Sequence, residues 1–105
     1  MKSENMQIAQ TILEQLGGRQ FLMMTGSTNL TAIDKGLGML IKRNKSGANV
    51  FRVILDEGAD LYDVEFVKSS PARYDMIKRI EGVYCDMLQD IFEEETGLYV
   101  TLNKR

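Results

Sequence analysis

The sequence predicts an α+β fold: an N-terminal helix, an antiparallel meander sheet of about five strands and a C-terminal helix, in two-layer packing. Three observations predict it. Apolar residues recur at helical spacing near both ends of the chain, period-two alternation fills its middle, and turn residues separate the alternating runs. A chain of 105 residues with 44 % hydrophobic and 27 % charged side chains is expected to form a single domain, residues 1–105, around one core.

The first helix is expected over Glu4–Leu16, where Ile8, Ala9, Ile12, Leu13 and Leu16 make an apolar stripe opposite Gln7, Gln10 and Glu14. Ser3 is placed to cap it and Gly17-Gly18 to end it. Gln20–Thr25, with Phe-Leu-Met-Met at its centre, reads as a short buried strand, followed by a weaker strand at Asn29–Ile33. Leu37–Arg43 alternates more clearly, and Asn44-Lys45-Ser46-Gly47 is turn chemistry.

The strongest hairpin joins Val50–Leu55 to Leu61–Phe66 through Asp56-Glu57-Gly58-Ala59. Phe51, Val53 and Leu55 share the core face with Tyr62, Val64 and Phe66 only if facing residues have numbers with an odd sum. Pairing Leu55 with Asp60 meets that condition, setting Val53 against Tyr62 and Arg52 against Asp63. After the turn Ser69-Ser70-Pro71-Ala72, the segment Arg73–Ile80 alternates like a strand, though Met76, Ile77 and Ile80 would also suit a helix; strand is the expectation. Val83, Tyr84, Met87, Leu88, Ile91 and Phe92 then define a helix ending at Gly97, and Leu98–Leu102 is β-prone before a frayed end at 103–105. Both helices are expected on one sheet face, leaving Arg52, Asp63 and Glu65 on the other.

Catalytic chemistry has little to work with. There is no histidine, which removes the commonest general base and transition-metal ligand. Cys85 is alone, so no intrachain disulfide is expected, and its acidic neighbours Glu81 and Asp86 disfavour a thiolate. Asp56, Glu57 and Asp60 surround a glycine without the spacing of a calcium loop, and Glu93-Glu94-Glu95 fan around a helix instead of converging. Gly36-Leu37-Gly38 lacks the strand-to-helix setting and third glycine of a dinucleotide site. The expectation is no enzyme, no cofactor and no metal site. No apolar run approaches the roughly 20 residues of a membrane helix, so the protein is expected in the cytoplasm with no membrane partner.

Charge carries more information. A formal net charge of −2 conceals five bases without an acid between Lys35 and Leu55, and six acids without a base between Glu81 and Thr96. The candidate binding patch is Lys42, Arg43 and Lys45 on one strand end and turn, with Lys35 as a fourth member.

Three stretches together resemble a known group: Ile12-Leu13-Glu14-Gln15-Leu16-Gly17-Gly18-Arg19-Gln20-Phe21 with Met24-Thr25-Gly26; Leu61-Tyr62-Asp63-Val64-Glu65-Phe66; and Val83–Phe92 with Thr96-Gly97-Leu98. They are similar to a family of small, uncharacterised proteins encoded by phages, prophages and other bacterial mobile elements. The resemblance implies an intracellular bacterial setting, an accessory role and a strand at 73–80. No activity is established for that family, so it assigns no residue a role, and Gly82 departs from it where a helix cap would stand. The first expectation is therefore a non-enzymatic protein-interaction or accessory module, binding a protein partner or itself. The alternative is a weak nucleic-acid-binding protein using the basic turn.

Overall fold

The computed structural model describes residues 2–100. Helix α1 runs Lys2–Leu16, α2 Gly18–Thr25 and α3 Leu88–Thr96. The strands are β1 (Thr28–Ile33), β2 (Gly36–Leu40), β3 (Val50–Asp56), β4 (Leu61–Ser69) and β5 (Tyr74–Val83). They form one antiparallel sheet in the order β1-β2-β3-β4-β5, the expected meander.

The helices cover one face. Ile12 and Leu16 of α1, Phe21 of α2 and Leu88 and Phe92 of α3 are buried against Leu37, Met39, Phe51, Val53, Val64 and Phe66 of the sheet. Phe92 meets the rings of both Phe21 and Phe51 edge-on, at centroid distances of 5.0 and 4.9 Å.

Several features differ from the sequence reading. Ser3 lies inside the first turn of α1, not at its cap. Residues 20–25 belong to a helix, not a strand. Gly17, at φ 125°, interrupts α1 and lets the chain restart at Gly18. A strand would put Phe21 and Met23 on one face; the helix buries Phe21 and Thr25, four apart, and leaves Met23 75 % exposed. A short apolar run does not by itself distinguish these periods.

The third difference is register. Strands β3 and β4 pair Asp56 with Leu61, Val53 with Val64 and Arg52 with Glu65. The odd-sum parity holds, but the pairing is shifted by two. Asp60 adopts φ 58° and donates its N–H to the Asp56 carbonyl at 2.8 Å, so it belongs to the turn. Arg52 therefore faces Glu65, and Asp63 lies opposite Ile54.

The fourth is the approach to α3. Strand β5 continues through Gly82 to Val83, a 3-10 turn occupies Cys85–Met87, and α3 begins only at Leu88. Gly82, at φ 71°, supplies a bulge: Tyr62 pairs with Val83 but Val64 with Ile80. A second shift, between Phe66–Lys78 and Val67–Met76, leaves Ile77 unpaired. Strand β2 ends at Leu40, three residues before expected. Leu98–Val100 form no strand, and the rest of the expected terminal segment, 101–105, lies outside the described residues.

Among the described residues, no helix covers the opposite sheet face. At its centre Glu65, only 6 % exposed, lies between Arg52 at 3.5 Å and Arg79. Arg79 also pairs with Asp63 and Glu81, each at 3.0 Å. The Glu81 carboxylate, joined by Asp63 and Glu65, raises the Arg79 guanidinium above its ordinary value.

Candidate functional site

The basic segment forms the loop between β2 and β3. Its backbone is held from within by Asn44, whose amide donates to the carbonyls of Lys42 and Ala48 at 2.7 and 2.9 Å. The Asn44 side-chain oxygen accepts from the Ser46 N–H at 2.9 Å and from the Ser46 hydroxyl. Gly47, at φ 83°, closes the turn.

Asn49 ties the loop to the sheet. Its N–H donates to the Val67 carbonyl at 2.9 Å, and its side chain exchanges two 2.8 Å bonds with the backbone of Ser69. That anchorage brings Lys68 beside the loop.

Two of the loop's lysines lie against helix ends. Helices α2 and α3 finish with the same six-residue pattern, Phe-x-x-x-Thr-Gly: Phe21 to Gly26 and Phe92 to Gly97. In each the threonine is buried and its hydroxyl donates back to the phenylalanine carbonyl, at 2.8 and 2.7 Å. Each glycine then takes the left-handed conformation that ends the helix. A methyl group on Gly26 would stand 3.2 Å from Lys42 Cδ, and one on Gly97 would stand 3.4 Å from Lys45 Cδ. The Lys45 N–H also donates to the Thr96 carbonyl at 3.2 Å, one of the acceptors that a helix C-terminus leaves free.

The acidic and basic segments of the sequence thus meet inside one copy of the chain. Lys45 lies at the end of the helix that carries Glu93, Glu94 and Glu95.

Lys35 does not join this group. It occupies the β1–β2 turn at φ 58°, with its ammonium 2.7 Å from Glu57. The hydrogen bond and charge of Glu57 raise its pKa above the usual value. Lys35 and Lys42 flank opposite ends of β2, roughly 20 Å apart at a strand's rise per residue.

Lys68 is the member that sequence reasoning missed. Ending β4 at Phe66 hid it; following the alternation through Val67 and Ser69 brings Lys68 to the loop, because Val50 pairs with Val67. Among the described side chains, ion pairs engage Lys35, Arg52, Arg73, Lys78 and Arg79, whereas Arg19, Lys42, Arg43, Lys45 and Lys68 have none. Four of those five unpaired cations gather at one end of the molecule.

Concavities also lie elsewhere on the molecule. On the uncovered sheet face a groove of about 420 Å³ lies over Gly38, walled by Thr31, Ile33, Leu40, Val50 and Arg52. Near the opposite end of the sheet, Tyr62 donates to Gln15 Oε1 at 2.7 Å beside the exposed Cys85. Burial pushes the Tyr62 hydroxyl's pKa up, with the neighbouring thiol adding to the shift. Among the described residues, no three His, Cys, Asp or Glu side chains are grouped to hold a metal ion, and no helix is long and apolar enough to cross a membrane. No protein-family model, no curated protein and no solved structure matches the chain.

Proposed function

We propose that this chain is a non-enzymatic accessory protein, acting in the cytoplasm for a bacterial mobile element, that engages the phosphate backbone of nucleic acid through its basic end. The supporting observation is the gathering of Lys42, Arg43 and Lys45, on a loop held by Asn44 and Asn49, with Lys68 of β4 beside it; among the described side chains none of the four is engaged in an ion pair. Unpaired cations on a preorganised loop release counterions when they meet phosphates, and little ordering entropy opposes them. The mobile-element setting draws on the sequence resemblance alone.

The test is fluorescence anisotropy with a labelled 20-nucleotide single strand and its duplex, between 50 and 200 mM salt. Two to four phosphate contacts give a log–log slope between about −1.4 and −3.6, so affinity falls roughly seven- to 150-fold over that range. Absence of binding to either probe at 50 mM salt would sink the proposal.

A second reading, a protein partner or a second copy on the uncovered sheet face, draws on the groove over Gly38 and the exposed Leu40, Tyr74 and Met76 around that face. Sedimentation across the same salt range tests self-association; a monomer throughout removes the second copy.

A further inference from the structure

The four cations of the basic end do not share one environment. We infer that the phosphate seat is the groove between Arg43 and Lys68, and that Lys42 and Lys45 serve the helix ends instead. The inference rests on the nucleic-acid reading and narrows it to two residues, one of which the sequence patch lacked.

The groove has a volume of about 410 Å³, and Arg43, Asn44, Gly47, Asn49 and Lys68 contribute to its lining. Among the described residues, no acidic side chain lines it. The amide groups of Asn44 and Asn49 are engaged in holding the loop and the end of β4. The side-chain donors left to a ligand are therefore the Arg43 guanidinium and the Lys68 ammonium. The acid that faces Lys68 across the ladder is Asp75, and its two oxygens are engaged by Arg73 at 3.2 and 3.3 Å. A guanidinium fork with a compact ammonium suits an oxyanion with several acceptor oxygens, as a phosphodiester has.

Lys42 and Lys45 line no part of this groove. Their stems cross the glycine caps of α2 and α3, where unsatisfied carbonyls concentrate negative potential. At α3 the glutamates of the last turn add to that potential. A cation already facing a helix C-terminus gains less from an external phosphate than one facing open solvent.

The same chemistry would admit free polyphosphate, so the experiment carries separate arms: the 20-nucleotide single strand, its duplex, and inorganic tripolyphosphate as competitor. The wild-type slope is expected near −1.4 for single strand and −1.8 for duplex, the values for two contacts. Arg43→Ala and Lys68→Ala should each remove about half of that slope and weaken binding several-fold at 50 mM salt, with an unchanged urea midpoint. Lys42→Ala and Lys45→Ala should leave the slope unchanged and lower the urea midpoint. A slope near −3.6 shared equally among the four residues would overturn the division while leaving nucleic-acid binding intact. Tripolyphosphate binding that depends on Arg43 and Lys68, with no affinity for either nucleic acid, would support the seat and overturn the nucleic-acid reading. No binding to any probe would overturn both.

Discussion

Helices α2 and α3 stop in the same way and differ in almost everything else. Each ends in Phe-x-x-x-Thr-Gly, buries its threonine and turns out through a left-handed glycine beside a lysine of the basic loop. Between the shared residues α2 places Leu-Met-Met and α3 places Glu-Glu-Glu. The geometry of a helix end is thus set by three residues, and its electrostatics by whatever fills the gap. Acids at a C-terminus oppose the helix dipole, so α3 needs compensation that α2 does not. Part of it is local: the Glu93 carboxylate accepts the Val100 N–H at 2.9 Å, and Glu95 pairs with Lys78 at 3.2 Å. Lys45, whose stem crosses Gly97, adds a cation at the same end.

The two ends also differ in what each buried group supports, and truncation separates them. Phe92 touches two aromatic rings and Phe21 one. Phe92→Ala is expected to cost about 3–5 kcal/mol, enough to unfold a marginal domain, and Phe21→Ala toward the lower end of that range. Urea denaturation gives both values; equal costs would erase the asymmetry.

The threonines come next. The Thr25 proton goes to the Phe21 carbonyl, so in the 2.7 Å pair with Ser27 the serine hydroxyl donates, and Thr25 also accepts the Ser27 N–H at 3.3 Å. Among the described residues, Thr96 accepts only the Leu98 N–H, at 3.1 Å. Replacement by valine strands these donors, at about 1–3 kcal/mol each site, with Thr25→Val the more damaging. The reverse order in thermal or urea unfolding would show that hydroxyl partners do not rank the two ends.

The smallest effect concerns the lysines. Lys45→Gln is expected to destabilise by a few tenths to about 1 kcal/mol at low salt, and Lys42→Gln by less, because only α3 carries acids at its end. Raising salt to about 1 M, where the Debye length falls to roughly 3 Å, should abolish the difference. A difference that persists there would assign it to side-chain packing over Gly97.

Much of this was legible in the sequence, and the failures have physical causes. The core triplets of the central hairpin follow from parity, since a one-residue slip would turn Asp63 and Glu65 into the apolar core, away from Arg52 and Arg79. Its exact register does not, because Asp60 in a left-handed conformation converts a strand residue into a turn residue without changing parity. Residues 20–25 read as a strand because Phe-Leu-Met-Met is apolar throughout; the signal of a helix end is Phe21-x-x-x-Thr25-Gly26, which recurs at Phe92. Lys42, Arg43 and Lys45 were legible as a cluster because they adjoin in sequence. Lys68 joins them only through strand pairing, and Lys35 leaves them because β2 holds it at the far end.

Strand β5 has a consequence for the whole molecule. Ten residues long and lying at the sheet's edge, it would ordinarily template the strand of another chain. Its bulges at Ile77 and Gly82 break the regular row of backbone donors, and Lys78, Arg79 and Glu81 put charges along its middle. An incoming strand would meet mismatched amides and would have to displace ion pairs with Glu95, Asp63 and Glu65. Growth of the sheet by addition is thereby disfavoured, and this edge resists templating a second copy into a fibre.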